Sequence, residues 1–125
     1  MSEAFYSKEH QWVRLDGDEA RVGITNYAQR TLGDIVYVDL PAVGAVLAKD
    51  AQAAVVESVK SANEVYSPIA GSVSAVNTAL DAEPELVNQD AEGAGWFFAL
   101  KLDSALDYEG LMTAAAYADY VKGLE

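Results

Sequence analysis

The chain has 125 residues, with 20 acidic and 8 basic side chains, a formal net charge of −12 and no cysteine. This length fits one domain, and the negative charge, with no basic stripe to offset it, argues against nucleic-acid binding and favours a monomer whose partners carry basic docking surfaces. The lack of cysteine excludes disulfides, thiolate metal sites and cysteine nucleophiles.

The N-terminal third predicts a β-hairpin followed by a helix. Residues 11–15 and 20–24 alternate in polarity on either side of an Asp-Gly-Asp turn signal at 16–18. Thr25 is a suitable N-cap for a short helix over residues 26–32. We therefore expect two paired strands that lead directly into a helix.

A strand and an internal repeat follow this helix. Gly33 suits the helix end, because glycine readily adopts the left-handed conformation of a C′ residue. The β-branched residues 35–40 predict a strand that stops at Pro41. Segments 41–48 and 68–75 share the pattern P-x-x-G-x-V-x-A, in which a turn leads into a short strand. The two copies suggest an internal two-fold β structure.

The next part of the chain predicts two loops and one strand. Residues 80–88 are loop-like, with Pro84 at the start of a single helical turn, and residues 91–95 form a second loop. The apolar run 96–102 is the strongest strand signal in the sequence.

The C-terminal part is predicted to be helical. Asp103 or Ser104 suits the N-cap of a helix around 106–111, and Thr113 suits the N-cap of another. In this last helix we expect one apolar stripe to pack on the core. The stripe consists of Tyr117, Tyr120, Val121 and Leu124.

These elements predict a mostly β protein, a β-sandwich or a flattened barrel, with small helices at its edges and C-terminus. We expect one domain over 1–125, with a β core at about 19–102 and C-terminal helices at about 104–124. No apolar run approaches the ~20 residues of a membrane span, and the N-terminus lacks the features of a secretion signal. We therefore expect no membrane partner and a cytoplasmic protein, or a mitochondrial-matrix protein after removal of a transit peptide.

The sequence offers little for catalysis. His10 is the only histidine, no nucleophile-elbow pattern accompanies it, and one histidine alone cannot build a zinc site. The acidic turn at 16–18 lacks the calcium-loop pattern, and the glycines at 93–95 lack the lysine of a phosphate-binding loop. We expect no catalytic residue and no metal site, and a capping or surface role for His10.

Lys60 lies between the two repeat segments. Residues 55–59 alternate as a strand, residues 61–63 are small and suited to a turn, and Val65 is predicted to begin a return strand. Lys60 is therefore expected at or near a hairpin tip, with its stem extended into solvent. Two interpretations follow: an ordinary solvated lysine, or an attachment point for a cofactor that a modifying enzyme can reach.

A family resemblance favours the second interpretation. Residues 57–62, followed by 65–71, resemble the lipoyl-attachment segment of the glycine cleavage system H-protein family. Further blocks similar to that family occur in order along nearly the whole chain, at 10–13, 23–29, 32–36, 39–41, 85–88 and 95–96.

The resemblance implies a lipoyl/biotinyl-type fold with the modified lysine on a β-hairpin. Lipoate would be bound covalently to Lys60. Glu57, Ser58, Val59 and Ser61 would be the residues that a lipoylating enzyme recognises around it.

The resemblance also implies a carrier instead of an enzyme. In the family, the lipoyl arm takes an aminomethyl group from a glycine decarboxylase (P protein) to a tetrahydrofolate-dependent aminomethyltransferase (T protein). A dihydrolipoamide dehydrogenase (L protein) then reoxidises the arm. Tethering gives each transfer an effective concentration on the order of mM.

In the family, a surface cleft protects the loaded arm from water. An ammonium group on the arm favours a carboxylate partner, and Gln11 stands where the family usually has Glu, so we expect Glu64 to carry the charged contact. Thr31 stands where some relatives have a histidine. By position, the residues implied for the cleft are His10, Gln11, Ala28, Thr31, Leu32 and Glu64.

Other assignments remain open from the sequence. Biotin carriers usually flank their lysine with methionines, and lipoyl domains of 2-oxo-acid dehydrogenases tend to have Asp before it; Val59 fits neither. An H-like protein that donates lipoate in a cofactor relay is compatible with Gln11 and Thr31. An unmodified interaction module or a hydrolase fits fewer of the residues.

Overall fold

The computed structural model describes residues 4–16, 19–101 and 111–124. These residues form strands in two antiparallel sheets and several short helices. The strands are β1 (Ala4–Tyr6), β2 (Gln11–Asp16), β3 (Glu19–Ile24), β4 (Ile35–Asp39), β5 (Val46–Leu47), β6 (Gln52–Ser58), β7 (Ala62–Tyr66), β8 (Gly71–Val76) and β9 (Phe98–Lys101). The helices are α1 (Asn26–Leu32), α2 (Ala79–Ala82), α3 (Leu86–Gln89) and α4 (Ala114–Leu124).

The larger sheet has the strand order β1-β2-β3-β9-β8-β5, and the smaller sheet has the order β4-β6-β7. The predicted mostly β fold is confirmed. Neither sheet closes on itself, so of the two predicted forms the sandwich describes the molecule. Among the described helices, none is long and apolar enough to cross a membrane.

Both sheets contribute to one hydrophobic core. In β6, Ala54 and Val56 are buried and their neighbours are partly exposed, as expected when one face of a strand lies on the core. Val22 and Phe98 of the larger sheet and Val38 of the smaller one belong to the same buried cluster. Burial of each such side chain contributes about 1.5–3 kcal/mol to the stability of the fold. Packing of these side chains therefore determines which faces of the two sheets lie against each other.

The predicted first hairpin and helix are confirmed. Strands β2 and β3 pair along their whole length. The Thr25 side chain caps α1 by accepting a hydrogen bond from the Ala28 N–H at 3.3 Å. Gly33 ends the helix with a φ of 84°, and its N–H donates to the Gln29 carbonyl oxygen at 3.0 Å. The helix is thus bounded by local signals at both ends.

The two repeat segments lie side by side. Strand β5 from the first copy pairs antiparallel with β8 from the second. The Gly44 N–H donates to the Val73 carbonyl oxygen at 2.8 Å, and Gly44 has a φ of 94°. At the matching Gly71 the reason for glycine is different, because a Cβ atom there would lie 2.9 Å from the Lys101 carbonyl oxygen. The shared pattern therefore marks two strands that pair with each other.

Some predicted boundaries are wrong. Strand β7 begins at Ala62 instead of Val65, because Ala62 pairs with Glu57 and the small residues after Lys60 join the ladder. The predicted loop at 80–88 contains parts of α2 and α3; α3 follows Pro84 as expected, but α2 was not predicted. In both places pairing or packing overrides the weak preference of small and polar residues.

Two further differences concern strands. Strand β1 was not predicted, and the strand expected at 96–102 is described from Phe98. Two predicted features lie outside the described residues. One is the tip of the first turn at 17–18. The other is the helix around 106–111, of which only Leu111 is described, together with its predicted caps Asp103 and Ser104.

Candidate functional site

The β6–β7 hairpin ends in a tight turn with Val59 and Lys60 at its tip. The Ser58 N–H donates to the Ser61 carbonyl oxygen at 2.8 Å, which closes the turn. The Ser58 hydroxyl oxygen, on a buried side chain, accepts from the backbone N–H groups of Lys60 and Ser61, both at 3.2 Å. These bonds hold the backbone of the turn in one conformation while both tip side chains stay exposed.

The tip is fixed to the segment that follows α1. The Val59 N–H donates to the Asp34 carbonyl oxygen at 3.0 Å. The Lys60 Nζ donates to the Thr31 carbonyl oxygen at 3.0 Å, at the C-terminal end of α1, where free carbonyls carry partial negative charge. A Cβ atom at Gly33 would lie 3.1 Å from the Lys60 Cε. The expectation of a stem extended into solvent is therefore wrong: Lys60 is exposed, but its stem lies along the end of α1.

A cavity of about 470 Å³ opens beside this lysine. Its walls come from α1, the β6–β7 hairpin, the segment that enters β2, and α4. Thr31 lines the cavity, and its backbone carbonyl oxygen accepts the bond from Lys60, so this residue connects the lysine to the cavity wall. The residues predicted for the cleft all line this cavity: His10, Gln11, Ala28, Thr31, Leu32 and Glu64.

Other lining residues were missed by the sequence reasoning. Tyr120 and Leu124 line the cavity, although their stripe on α4 was expected to pack on the core. Only Tyr117 of that stripe is buried. Periodicity showed that these residues share a helix face, but it carries no information on whether the opposing surface is filled. Glu9 was also missed. Its carboxylate next to His10 was the feature of the sequence that could have indicated a place in the cavity wall.

Tyr117 connects α4 to the N-terminal hairpin. Its hydroxyl lies 2.8 Å from the His10 Nδ1 and 2.7 Å from the Thr25 Oγ1. Its ring stacks on Tyr6 with centroids 4.8 Å apart. Thr113 caps the helix, with its side-chain oxygen accepting from the Ala116 N–H at 3.2 Å. The predicted cap is confirmed, and His10 is part of a cavity wall instead of an ordinary surface residue.

The environment of His10 disfavours its charged form. Burial lowers the pKa of His10, and the negative charge of Glu9 acts in the opposite direction. Tyr27 and Tyr120 flank the ring with centroids 4.7 and 6.0 Å away. At neutral pH, His10 is therefore a neutral ring within an aromatic cluster.

This lowered pKa predicts a pH dependence of stability. The unfolded chain binds the proton near pH 6.5, before the folded chain does, so the contribution of His10 is complete above that value and is lost as the pH falls below it. His10→Asn suits the φ of 67° at this position. When the pH is lowered from about 7.5 to about 5.5, the free energy of unfolding measured in urea should fall more for the wild-type protein than for His10→Asn. Equal changes in both proteins would contradict this assignment.

The polar groups of the cavity differ in what they can bind. The Gln11 side-chain oxygen accepts from the Ser7 hydroxyl at 2.8 Å, so its amide N–H groups, which are donors, remain for other partners. The Glu64 carboxylate also lines the cavity and accepts from the Tyr66 hydroxyl at 2.6 Å. A cationic group in the cavity would therefore meet acceptors at Glu64 and Glu9 instead of Gln11. Among the described residues, no group of three or more His, Asp or Glu side chains could hold a metal ion.

Comparison with known proteins identifies the family. The family model of the glycine cleavage H-protein matches residues 4–124. A glycine cleavage system H protein of Chromobacterium violaceum is 59% identical over 118 residues, which cover 94% of this chain and 92% of that protein. One of Beijerinckia indica is 52% identical over 124 residues, which cover 99% of this chain and 100% of that protein.

The fold leads to the same family. The crystal structure of a glycine cleavage system H protein from Mycobacterium marinum matches with a TM-score of 0.87 and 32% sequence identity. The match covers 96% of this chain and 97% of that one. The resemblance found in the sequence is confirmed: this chain belongs to the glycine cleavage H-protein family.

Proposed function

We propose that this chain is a cytoplasmic lipoyl carrier of glycine cleavage and not an enzyme, with lipoate joined by an amide bond to the Nζ of Lys60. Family membership supports the carrier role. The observation that carries the site is the position of Lys60: its side chain is exposed at a tight turn, and its amine lies 3.0 Å from the carbonyl oxygen of Thr31, a cavity-lining residue.

The residues around Lys60 fit this attachment. The bound group would supply a dithiolane, the sulfur chemistry that a chain without cysteine lacks. Ser58 and the Asp34 carbonyl keep the turn fixed, which presents the amine to a lipoylating enzyme at low entropic cost. The exposed Val59 and Ser61 leave space for that enzyme on both sides.

The cavity fits an arm that carries an amine. Ala28 and Leu32 give it an apolar wall, which limits access of water. Glu64 and Glu9 offer carboxylates to an ammonium group, and a charged hydrogen bond of this kind contributes about 1.5–3 kcal/mol. Since Gln11 turns its oxygen to Ser7, these two acids take over the charged contact.

This role requires several protein partners. They are a lipoylating enzyme, glycine decarboxylase (P protein), the aminomethyltransferase (T protein) and dihydrolipoamide dehydrogenase (L protein). Each must approach the same exposed hairpin tip in turn, so a shared recognition surface around Lys60 is expected. The net charge of −12 favours partner surfaces with basic residues at that contact.

Attachment at Lys60 is tested by intact-mass spectrometry after incubation with a lipoylating enzyme, lipoate and ATP. We expect one lipoyl adduct on the wild-type protein and on Lys122→Ala, an exposed lysine on α4, and none on Lys60→Ala. An adduct that survives Lys60→Ala, or no adduct on the wild-type protein, would overturn the proposed attachment. Glycine-dependent CO₂ exchange with the decarboxylase then distinguishes a cleavage carrier from a donor in lipoate relay.

Removal of the Glu64 charge should weaken the hold on the amine. A neutral hydrogen bond contributes roughly 1 kcal/mol less than a charged one, so we expect carrier loaded by the decarboxylase to release ammonia about 5-fold faster in Glu64→Gln, in the absence of the transferase. Glu83→Gln, an exposed acid outside the cavity, is the matched control and should behave as wild type. The same release rate in all three proteins would contradict a contact between Glu64 and the amine.

A further inference from the structure

Asn88 on α3 uses its whole side-chain amide to hold the segment at the end of α1. Its Oδ1 accepts from the Ile35 N–H at 2.8 Å, and its Nδ2 donates to the Gly33 carbonyl oxygen at 2.9 Å. The same Nδ2 donates to the Gln29 Oε1 at 3.0 Å. Both amide hydrogens and the oxygen therefore have partners.

The residue between these two bonded backbone groups is Asp34. Its carbonyl oxygen accepts from the Val59 N–H at 3.0 Å, which fixes the hairpin tip. One residue earlier, Gly33 has a φ of 84° and leaves the space in which the Lys60 stem lies. Asn88 thus bonds to the backbone on both sides of the carbonyl that accepts from Val59, and its described side-chain hydrogen bonds go to this segment and to Gln29.

Lys60 depends on this segment for its orientation. Its Nζ donates to the Thr31 carbonyl oxygen, and its Cε lies over Gly33. The ammonium of Lys60 must first lose one proton; the neutral Nζ then forms a bond to the carbonyl carbon of an acyl-activated lipoate, the bond to the activating phosphate breaks with its electron pair leaving on the phosphate, and a second proton leaves the nitrogen. One N–H remains on the nitrogen, so it can donate to Thr31 both before and after attachment.

We infer that Asn88 is a positioning residue for lipoate attachment: it holds the Gly33–Ile35 segment on which the hairpin tip and the Lys60 amine rest. This inference rests on the proposed attachment at Lys60. Without the bonds of Asn88, the segment and the tip sample more conformations, and the amine spends less time in the position for attack. The side chains that a lipoylating enzyme would recognise are unchanged.

The first test uses lipoylation kinetics of Asn88→Ala. We expect kcat to fall about 5–10-fold while KM for the protein changes less than about 2-fold, because orientation is lost and recognition is kept. Asn88→Asp keeps an acceptor for the Ile35 N–H and loses both donors, so its kcat should be intermediate. The matched control is Asn77→Ala, which removes two side-chain bonds to the Ala94 and Trp96 carbonyl oxygens. It should lose stability but keep the wild-type kcat when assayed below its melting temperature.

The second test needs no lipoate. The probe is hydrogen exchange at the Val59 N–H of the unmodified, folded protein, which is protected by its bond to the Asp34 carbonyl oxygen. With conditions chosen so that both variants have the same free energy of unfolding, this exchange should be about 5–10-fold faster in Asn88→Ala than in Asn77→Ala. Unchanged exchange at Val59, or an equal loss of kcat in both variants, would overturn the positioning role. Failure of the wild-type protein to accept lipoate at Lys60 would instead overturn the proposed function, and the exchange result would still decide whether Asn88 holds the tip.

Discussion

Lys60→Arg is expected to abolish glycine-dependent CO₂ exchange with the decarboxylase while leaving the fold intact. Arginine keeps the positive charge and can still donate to the Thr31 carbonyl oxygen, but its guanidinium does not serve as the amine for amide formation. Because the side chain is exposed, the free energy of unfolding should change by less than about 0.5 kcal/mol. Exchange activity and urea unfolding, measured on the same preparation, check both parts.

The controls for this prediction separate loss of the attachment from a general effect of a lysine-to-arginine change. Lys122→Arg makes the same chemical change on an exposed lysine of α4 and should keep full exchange activity. Wild-type protein without lipoate should be as inactive as Lys60→Arg. Residual exchange by Lys60→Arg above that of the unmodified protein would show that the carrier function does not depend on this lysine.

Tyr117→Ala is expected to have the largest effect on stability, about 3–5 kcal/mol, because it removes a buried aromatic ring. The loss includes the stack on Tyr6 and the hydroxyl contacts with His10 and Thr25. Tyr117→Phe keeps the ring and should cost about 1–2 kcal/mol through the hydroxyl alone. Urea unfolding measures both values.

Tyr117→Ala should also open the cavity. Tyr117 is the buried residue of α4, and Tyr120 of the same helix lines the cavity, so a loosened α4 removes part of the wall. We expect amide exchange in α4 to accelerate more in Tyr117→Ala than in Tyr117→Phe. Tyr37→Ala, at a tyrosine that is 50% exposed, is the control and should cost less than about 1 kcal/mol. Protection of α4 that is equal in all three variants would show that Tyr117 does not anchor the helix.

Some features of the fold could be predicted because local chemistry determines them. The first helix begins after Thr25, whose side-chain oxygen accepts from the Ala28 N–H, and ends at Gly33, which adopts a positive φ. Both signals lie within the helix segment itself. The strands β2, β3 and β6 show their period in the sequence, because alternate residues meet core and solvent. The position of Lys60 near a hairpin tip follows from the same local pattern.

Other features depend on residues far apart in the chain. The hydrogen bond between His10 and Tyr117 joins residues 107 positions apart, and no local pattern indicates it. For the same reason the periodicity of α4 did not distinguish the buried Tyr117 from the cavity-lining Tyr120. The hydrogen bond between Asn88 and Ile35 joins residues 53 positions apart and likewise could not be predicted from a local pattern.

The sequence by itself determined the mostly β character, the capped first helix and the place of Lys60 near a hairpin tip, because each depends on the period or the end chemistry of a short segment. The tertiary structure decided that Lys60 lies on the end of α1, that α4 completes the cavity wall, and that Asn88 bonds to the segment between α1 and β4. These features arise where separate elements come into contact. Packing around the common core decides which surfaces meet, and local sequence patterns carry no information on that packing.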